Sequence, residues 1–149
     1  MPVSLEQVRA ALDPEEVNYR AAAQLGPEAL PHLAVLARGP DMMLAAKATY
    51  LASLIQGAQA EQIIEEAAVH PEPAVRVAAA TGLKNLKSED AAGRIADRLI
   101  ADRDLGVRKL TVQSVAALPM PQLRQRMRAA AERDPEQVIR DLGIRSLHP

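Results

Sequence analysis

Arg94 and Arg98 stand one helical turn apart, and a second basic group, Arg124, Arg126 and Arg128, follows further along the chain. A guanidinium binds carboxylate or phosphate through parallel N–H donors, so two arginines on one helix face can clamp an anion. Carboxylates lie close by in sequence: Glu61, Glu65 and Glu66 share one stretch, and Asp97 sits between the first two arginines. Two readings of the arginines compete. They clamp a partner's anion, or they pair with Glu89, Asp90, Asp97 or Asp102 and form an ordinary solvated surface. For the glutamates, a general acid–base pair competes with a charged helix face, and the second reading suits residues so spaced.

Other reactive groups are sparse. A catalytic nucleophile, base or metal needs a positioned partner, and the short signatures of such sites are missing. The chain has no glycine-rich phosphate loop, no H-E-x-x-H and no G-x-S-x-G. His32, His70 and His148 have no second His or Cys at metal-ligand spacing, and cysteine is absent altogether. That removes thiolate metal sites and disulfides together. The histidines are read as capping or solvated groups. No catalytic residue, metal ligand or cofactor-binding residue is assigned, no cofactor is expected, and nothing demands an enzyme.

The scaffold that carries these side chains has a helical composition. Its 149 residues include 29 Ala but no Phe or Trp, and tyrosine occurs only at Tyr19 and Tyr50. A core of small aliphatic side chains suits helices that approach closely, and 48% hydrophobic content fits a folded chain. With so few aromatics, base stacking has little to work with, and a pI near 6.3 also argues against nucleic acid as the partner. The formal charge of −1 hides an asymmetry. Residues 1–74 hold 4 Lys+Arg against 10 Asp+Glu, and residues 75–149 hold 14 against 9. Such polarity is a sign of electrostatic partnering. The first residues lack the basic-then-apolar order of a signal peptide, and no apolar run approaches the roughly 20 residues that span a bilayer. A cytoplasmic chain without membrane association is expected.

Internal repetition decides the architecture. Val75-Arg76, Val107-Arg108 and Ile139-Arg140 recur at a step of 32 residues, as do Leu83, Val115 and Leu147. One period earlier, Met43, Leu51 and Leu54 fall on the same columns, with Leu44 where later copies have Arg. Helix breaks precede each copy: Gly39-Pro40-Asp41, His70-Pro71-Glu72-Pro73, Asp102-Arg103-Asp104 and Asp134-Pro135-Glu136. Proline suits a first helical turn, and Asp before it accepts bonds from free amides. Val75, Ala78, Ala79, Gly82, Leu83 and Leu86 then follow helical spacing. A second break at Lys87-Ser88 leads into Ala91, Ala92, Ile95 and Leu99, so the unit is a helix pair. Nearer the N-terminus, Asp13-Pro14-Glu15-Glu16-Val17 predicts a helix start running to Leu25, followed by a shorter helix over 28–38. Ser4 and Gln7 predict a capping box on Leu5–Leu12. About nine helices are expected.

The segments HPEPAVRVAAATGLKNL and DRDLGVRKLTVQSVAAL resemble the short HEAT-like repeats named after the phycobilisome lyases, and LGPEALPHLAVLARGPD is similar to the linker and second helix of such units. The resemblance covers nearly the whole chain, most closely from Pro40 onward. It implies an all-α fold, a right-handed α-α superhelix of about four to five helix pairs, armadillo-like, in one domain over 1–149. An atypical cap and compact repeat would occupy 1–39, regular repeats 40–69, 70–101 and 102–133, and a half repeat 134–149. The resemblance also implies a ladder joining the Asp before one first helix to the Arg after another's leading Val. Asp102, Asp134, Arg76, Arg108 and Arg140 hold those places, while Leu44, Asn18 and His70 depart from the pattern. Di-iron hydroxylases of this repeat type need recurrent His-Glu dipeptides, which are absent here. HEAT-like DNA glycosylases need aromatic residues around the lesion. A bilin lyase role is implied by the repeat's name alone.

Helix-pair solenoids present their second helices in a row, a common docking surface. The 32-residue step aligns Gln62, Arg94 and Arg126 in one outward line, Glu65, Asp97 and Ala129 in a second, and Glu66, Arg98 and Ala130 in a third. The resulting groove is acidic at its start and basic at its end, where Arg124 and Arg128 reinforce Arg126. The expected function is a non-enzymatic protein-binding scaffold or adaptor that takes an acidic segment of another protein on this face. The alternatives are a lyase-type factor handling a chromophore or a protein modification, and self-association of the acidic half of one copy with the basic half of another.

Overall fold

Asp41, Ser88 and Asp104 each stand one residue ahead of a helix and accept the backbone N–H three residues on, from Leu44, Ala91 and Val107. Such caps satisfy amides that have no partner inside the helix and so fix where it begins. The computed structural model describes residues 2–148, so the Met1 and Pro149 ends of the expected 1–149 unit lie outside the described residues. Among the described residues there are ten α-helices and no strand. They are α1 (Leu5–Leu12), α2 (Tyr19–Ala22), α3 (Leu30–Ala37), α4 (Met42–Ile55), α5 (Ala58–Ala67), α6 (Pro73–Gly82), α7 (Glu89–Leu99), α8 (Leu105–Ala116), α9 (Pro121–Glu132) and α10 (Gln137–Ser146).

The helices form two parallel rows. First helices α4, α6, α8 and α10 pack each against the next, and second helices α3, α5, α7 and α9 do the same. Four pairs, α2–α3 through α8–α9, are flanked by single helices α1 and α10, which makes the all-α solenoid expected from the repeat. Two apolar clusters fill the space between the rows. One centres on Leu12, Leu33 and Leu51, the other on Leu83, Ile95, Leu99, Leu123 and Ile139, all essentially buried. Each such side chain contributes about 1.5–3 kcal/mol relative to exposure.

A buried ladder fastens the first helices from α6 onward. Arg76 on α6 donates from Nε to Asp102 Oδ2 (2.8 Å), and its Nη1 reaches the carbonyls of His70 (2.8 Å) and Pro71 (3.0 Å). Arg108 on α8 repeats this with Asp134 Oδ2 (2.8 Å) and the carbonyl of Asp102 (2.9 Å). Each aspartate also accepts the backbone N–H two residues on, Asp102 from Asp104 (2.8 Å) and Asp134 from Glu136 (2.9 Å). His70 departs from the pattern in sequence yet fills the same turn role, its Nδ1 accepting the Glu72 N–H at 3.0 Å.

Two expectations are corrected. Met43, placed beneath Val75, is 69% exposed, while Val75, Val107 and Ile139 are buried. The cap of α4, Asp41, lies 31 residues before Glu72, whereas Glu72, Asp104 and Glu136 are 32 apart. Leu44 therefore takes the valine column, packing on the first cluster, and buried Ala45 takes the arginine column. The helix expected from Asp13 to Leu25 is also shorter: residues 13–18 are open, and helix begins only at Tyr19, where the Asn18 side chain accepts the Ala21 N–H. Lys47 of α4 holds the open segment by donating to the carbonyls of Leu12 (3.0 Å) and Pro14 (2.9 Å). The expected capping box does form, with Gln7 N–H to Ser4 Oγ at 3.2 Å and Ser4 N–H to Gln7 Oε1 at 2.8 Å.

Candidate functional site

The second helices are amphipathic in a way that fixes what they expose. On α5, Ala60, Ile63, Ile64 and Ala67 are buried, which turns Gln62 and Glu66 outward and leaves Glu65 half-buried. On α7, Ala91, Ala92, Ile95, Ala96 and Leu99 are buried, which leaves Arg94, Asp97 and Arg98 exposed. The two helices enclose a cleft of about 570 Å³. Gln62, Glu65, Glu66, Arg94, Asp97 and Arg98 all line it. Val69, just past the end of α5 and 54% exposed, adds an apolar spot that sequence reasoning missed.

The charged residues are organised as ties between successive second helices. Arg94 of α7 donates from Nε to Glu65 Oε1 of α5 at 2.9 Å. Arg126 of α9 reaches back to Asp97 of α7 in the same manner, Nε to Oδ1 at 3.1 Å and Nη2 to Oδ2 at 3.3 Å. Arg38, just past α3, holds Glu66 with two bonds of 2.9 and 2.8 Å. The hydrogen bond that Arg94 donates to Glu65, then the charge of that carboxylate, holds Arg94 above the usual arginine value, and Glu66 does the same for Arg38. These pairs lie open to water, the Arg94–Glu65 side chains being 58% and 39% exposed. Ion pairs so exposed are screened and add little to stability. Of the acidic neighbours weighed for Arg94 from sequence, none is the partner, because Glu65 of the preceding pair reaches it first. Arg38 was also missed, although it ends a second helix in the same row.

The remaining basic residues divide. The Arg98 side chain has no hydrogen-bond or ion-pair partner among the described residues, and it lines the cleft. Arg124 and Arg128 fall on the stripe that in α5 is Ala60 and Ile64 and in α7 is Ala92 and Ala96, all fully buried. At α9 both arginines are half-buried, Arg128 approaching Glu132 at 3.6 Å and Arg124 Nε lying buried without a partner. They thus stand apart from the outward line that Arg126 occupies. His32 Nε2 lies 2.8 Å from the Val3 carbonyl. Among the described residues, no group of three or more His, Cys, Asp or Glu could hold a metal ion, and no helix is long and apolar enough to cross a membrane.

A family model described as HEAT repeats matches residues 60–148. No curated protein matches the sequence. Among solved structures, the complex of CpcE and CpcF of phycocyanin lyase from Nostoc sp. PCC7120 is similar, with a TM-score of 0.74 at 22% identity. The match covers 97% of this chain and 98% of that one. At that identity the likeness is one of fold.

Proposed function

The chain belongs to the HEAT-repeat family, and on that premise we propose that it is a non-enzymatic cytoplasmic adaptor whose second-helix face docks an acidic segment of another protein. The observation that carries this reading is the cleft between α5 and α7, where Arg98, with no side-chain partner among the described residues, stands one turn from Arg94. Arg94 and Arg126 supply further cationic rungs, and their own carboxylates are held only by water-exposed contacts. Association through such a face is steered by charge and weakened by salt. Capture of partners on the immobilised protein at low salt, followed by stepwise salt elution, tests it. A protein released by modest salt is expected, and retention independent of salt would contradict the proposal.

A second reading, a lyase-type factor handling a chromophore or protein modification, draws support from the full-length likeness to the phycocyanin lyase complex. That protein is described as a complex of CpcE and CpcF, which also supports a protein partner for this chain. The lyase reading predicts a changed absorption spectrum on mixing with a tetrapyrrole, and the adaptor reading predicts none. Self-association of the acidic and basic halves would instead give a salt-sensitive, concentration-dependent mass.

A further inference from the structure

We infer that the outer face of α9 and α10 docks the start of a helix from another, acidic protein: an aspartate in the turn ahead of that helix seats on Arg140, and the helix itself covers Ile144. This surface lies apart from the second-helix groove, and its occupant does not depend on the groove's.

The inner repeats show twice what such a face holds. Arg76 and Arg108 each place Nη1 on the backbone carbonyl six residues earlier, and Nε and Nη2 on an aspartate in the turn ahead of the next first helix. Arg140 begins in the same way, its Nη1 donating to the carbonyl of Asp134, six residues earlier, at 2.6 Å. Its Nη2 turns to Gln137 Oε1 at 2.9 Å, and no carboxylate meets its Nε among the described residues. One turn further along the same face, Ala80 and Val112 are fully buried, whereas Ile144 is 48% exposed. No helix follows α10 among the described residues. An arginine fork fit for a two-bonded carboxylate thus stands beside an uncovered isoleucine, which repeats the inner joints with one side open.

Charge narrows the choice of occupant. A Cβ added to Gly93 would lie 2.9 Å from Arg126 Nη2, so that side of α7, with Ala96 one turn on, faces the following second helix. Ala92 and Ala96 are fully buried there. The same stripe on α9 carries Arg124 and Arg128, and Arg124 Nε is buried without a hydrogen-bond partner. Terminal repeats close with a polar outer face, but closure gives no reason for a buried, unmatched donor, which costs stability. A further repeat of the inner type would bury both arginines against apolar contacts, whereas a partner with carboxylates here would satisfy them. A second folded copy cannot supply the turn, because its own Asp102 and Asp134 are held by Arg76 and Arg108.

The test uses fluorescence anisotropy with a helix-stapled peptide that copies residues 134–147 of this chain, made acidic by Arg145→Glu, and the same peptide with Asp134→Asn. Wild type is expected to bind the aspartate peptide, and the asparagine peptide about thirtyfold more weakly or worse, the loss that follows when one partner of a buried ion pair is removed. Arg140→Gln, checked for helicity by circular dichroism, should lose the preference for aspartate. Arg124→Gln/Arg128→Gln should weaken binding about two- to tenfold and flatten its salt dependence. Arg94→Gln, in the groove, should bind both peptides as wild type does. Equal affinity of wild type for the two peptides, no binding of either, or loss of binding in Arg94→Gln overturns the inference. Sedimentation of wild type as a dimer that Arg140→Gln converts to monomer would instead make a second copy the occupant, and overturns the choice of partner.

Discussion

Arg76 and Asp102 meet through two bonds, Nε to Oδ2 at 2.8 Å and Nη2 to Oδ1 at 3.4 Å, with side chains only 6% and 8% exposed. This pair joins α6 to the turn before α8, and removing one partner strands a buried charge. Asp102→Ala is therefore expected to cost about 3–5 kcal/mol in urea unfolding. Arg94→Ala, which breaks a pair of the same chemical type in open water, should leave the unfolding midpoint unchanged. Equal effects would mean that burial does not separate the structural ladder from the groove ladder.

Close approach of α9 and α10 gives a second prediction. A Cβ added to Gly143 would lie 2.7 Å from the Ala131 Cβ, too close without a shift of one helix. Gly→Ala within a helix ordinarily gains about 1 kcal/mol. Here Gly143→Ala should instead destabilise by about 1–3 kcal/mol, and adding Ala131→Gly should restore most of it. A stabilising single variant would show that the helices part freely.

The two tyrosines permit a pH test. Tyr19 and Tyr50 meet edge to face with centroids 4.8 Å apart. Burial first, and the Tyr50 charge second, raise the Tyr19 pKa above its ordinary 10.0. A raised pKa means the folded protein binds that proton more tightly than the unfolded chain. Its contribution to stability is thus complete below pH 10.0 and is lost as pH climbs through the higher folded value. Ultraviolet titration of tyrosinate should give a late-ionising group in wild type that ionises earlier in Tyr50→Phe.

His70 supplies a turn acceptor where the later repeats use aspartate. His70→Ala should lose about 0.5–1.5 kcal/mol, one ordinary hydrogen bond, and His70→Asp should recover it. Denaturant midpoints of the three proteins decide the matter.

From α6 onward the fold was legible because Val75, Val107 and Ile139, with their following arginines, keep a constant step and an obvious helical face. The register of α4 was not, because one fewer residue separates its cap from the next and Met43 is apolar enough to imitate a core position. Nor was the open segment over 13–18, which depends on Lys47 reaching carbonyls more than thirty residues away. For the groove, column alignment gathered Gln62, Glu65, Glu66, Arg94, Asp97 and Arg98, which the helices bring into one cleft. It did not foresee which carboxylate each arginine would take. Those ties run between neighbouring helices, and a pattern read along one helix shows only the charges nearest in sequence. Alignment also put Arg124 and Arg128 with Arg126, although they fall on the stripe that is buried in α5 and α7.

The most direct test of the docking face is affinity capture from source-cell extract at low salt, comparing wild type with Arg94→Glu/Arg126→Glu and quantifying both bound protein and nucleic acid. A protein retained by wild type and lost by the folded variant is the predicted result. Equal retention of the same protein by both would contradict the assignment of this face.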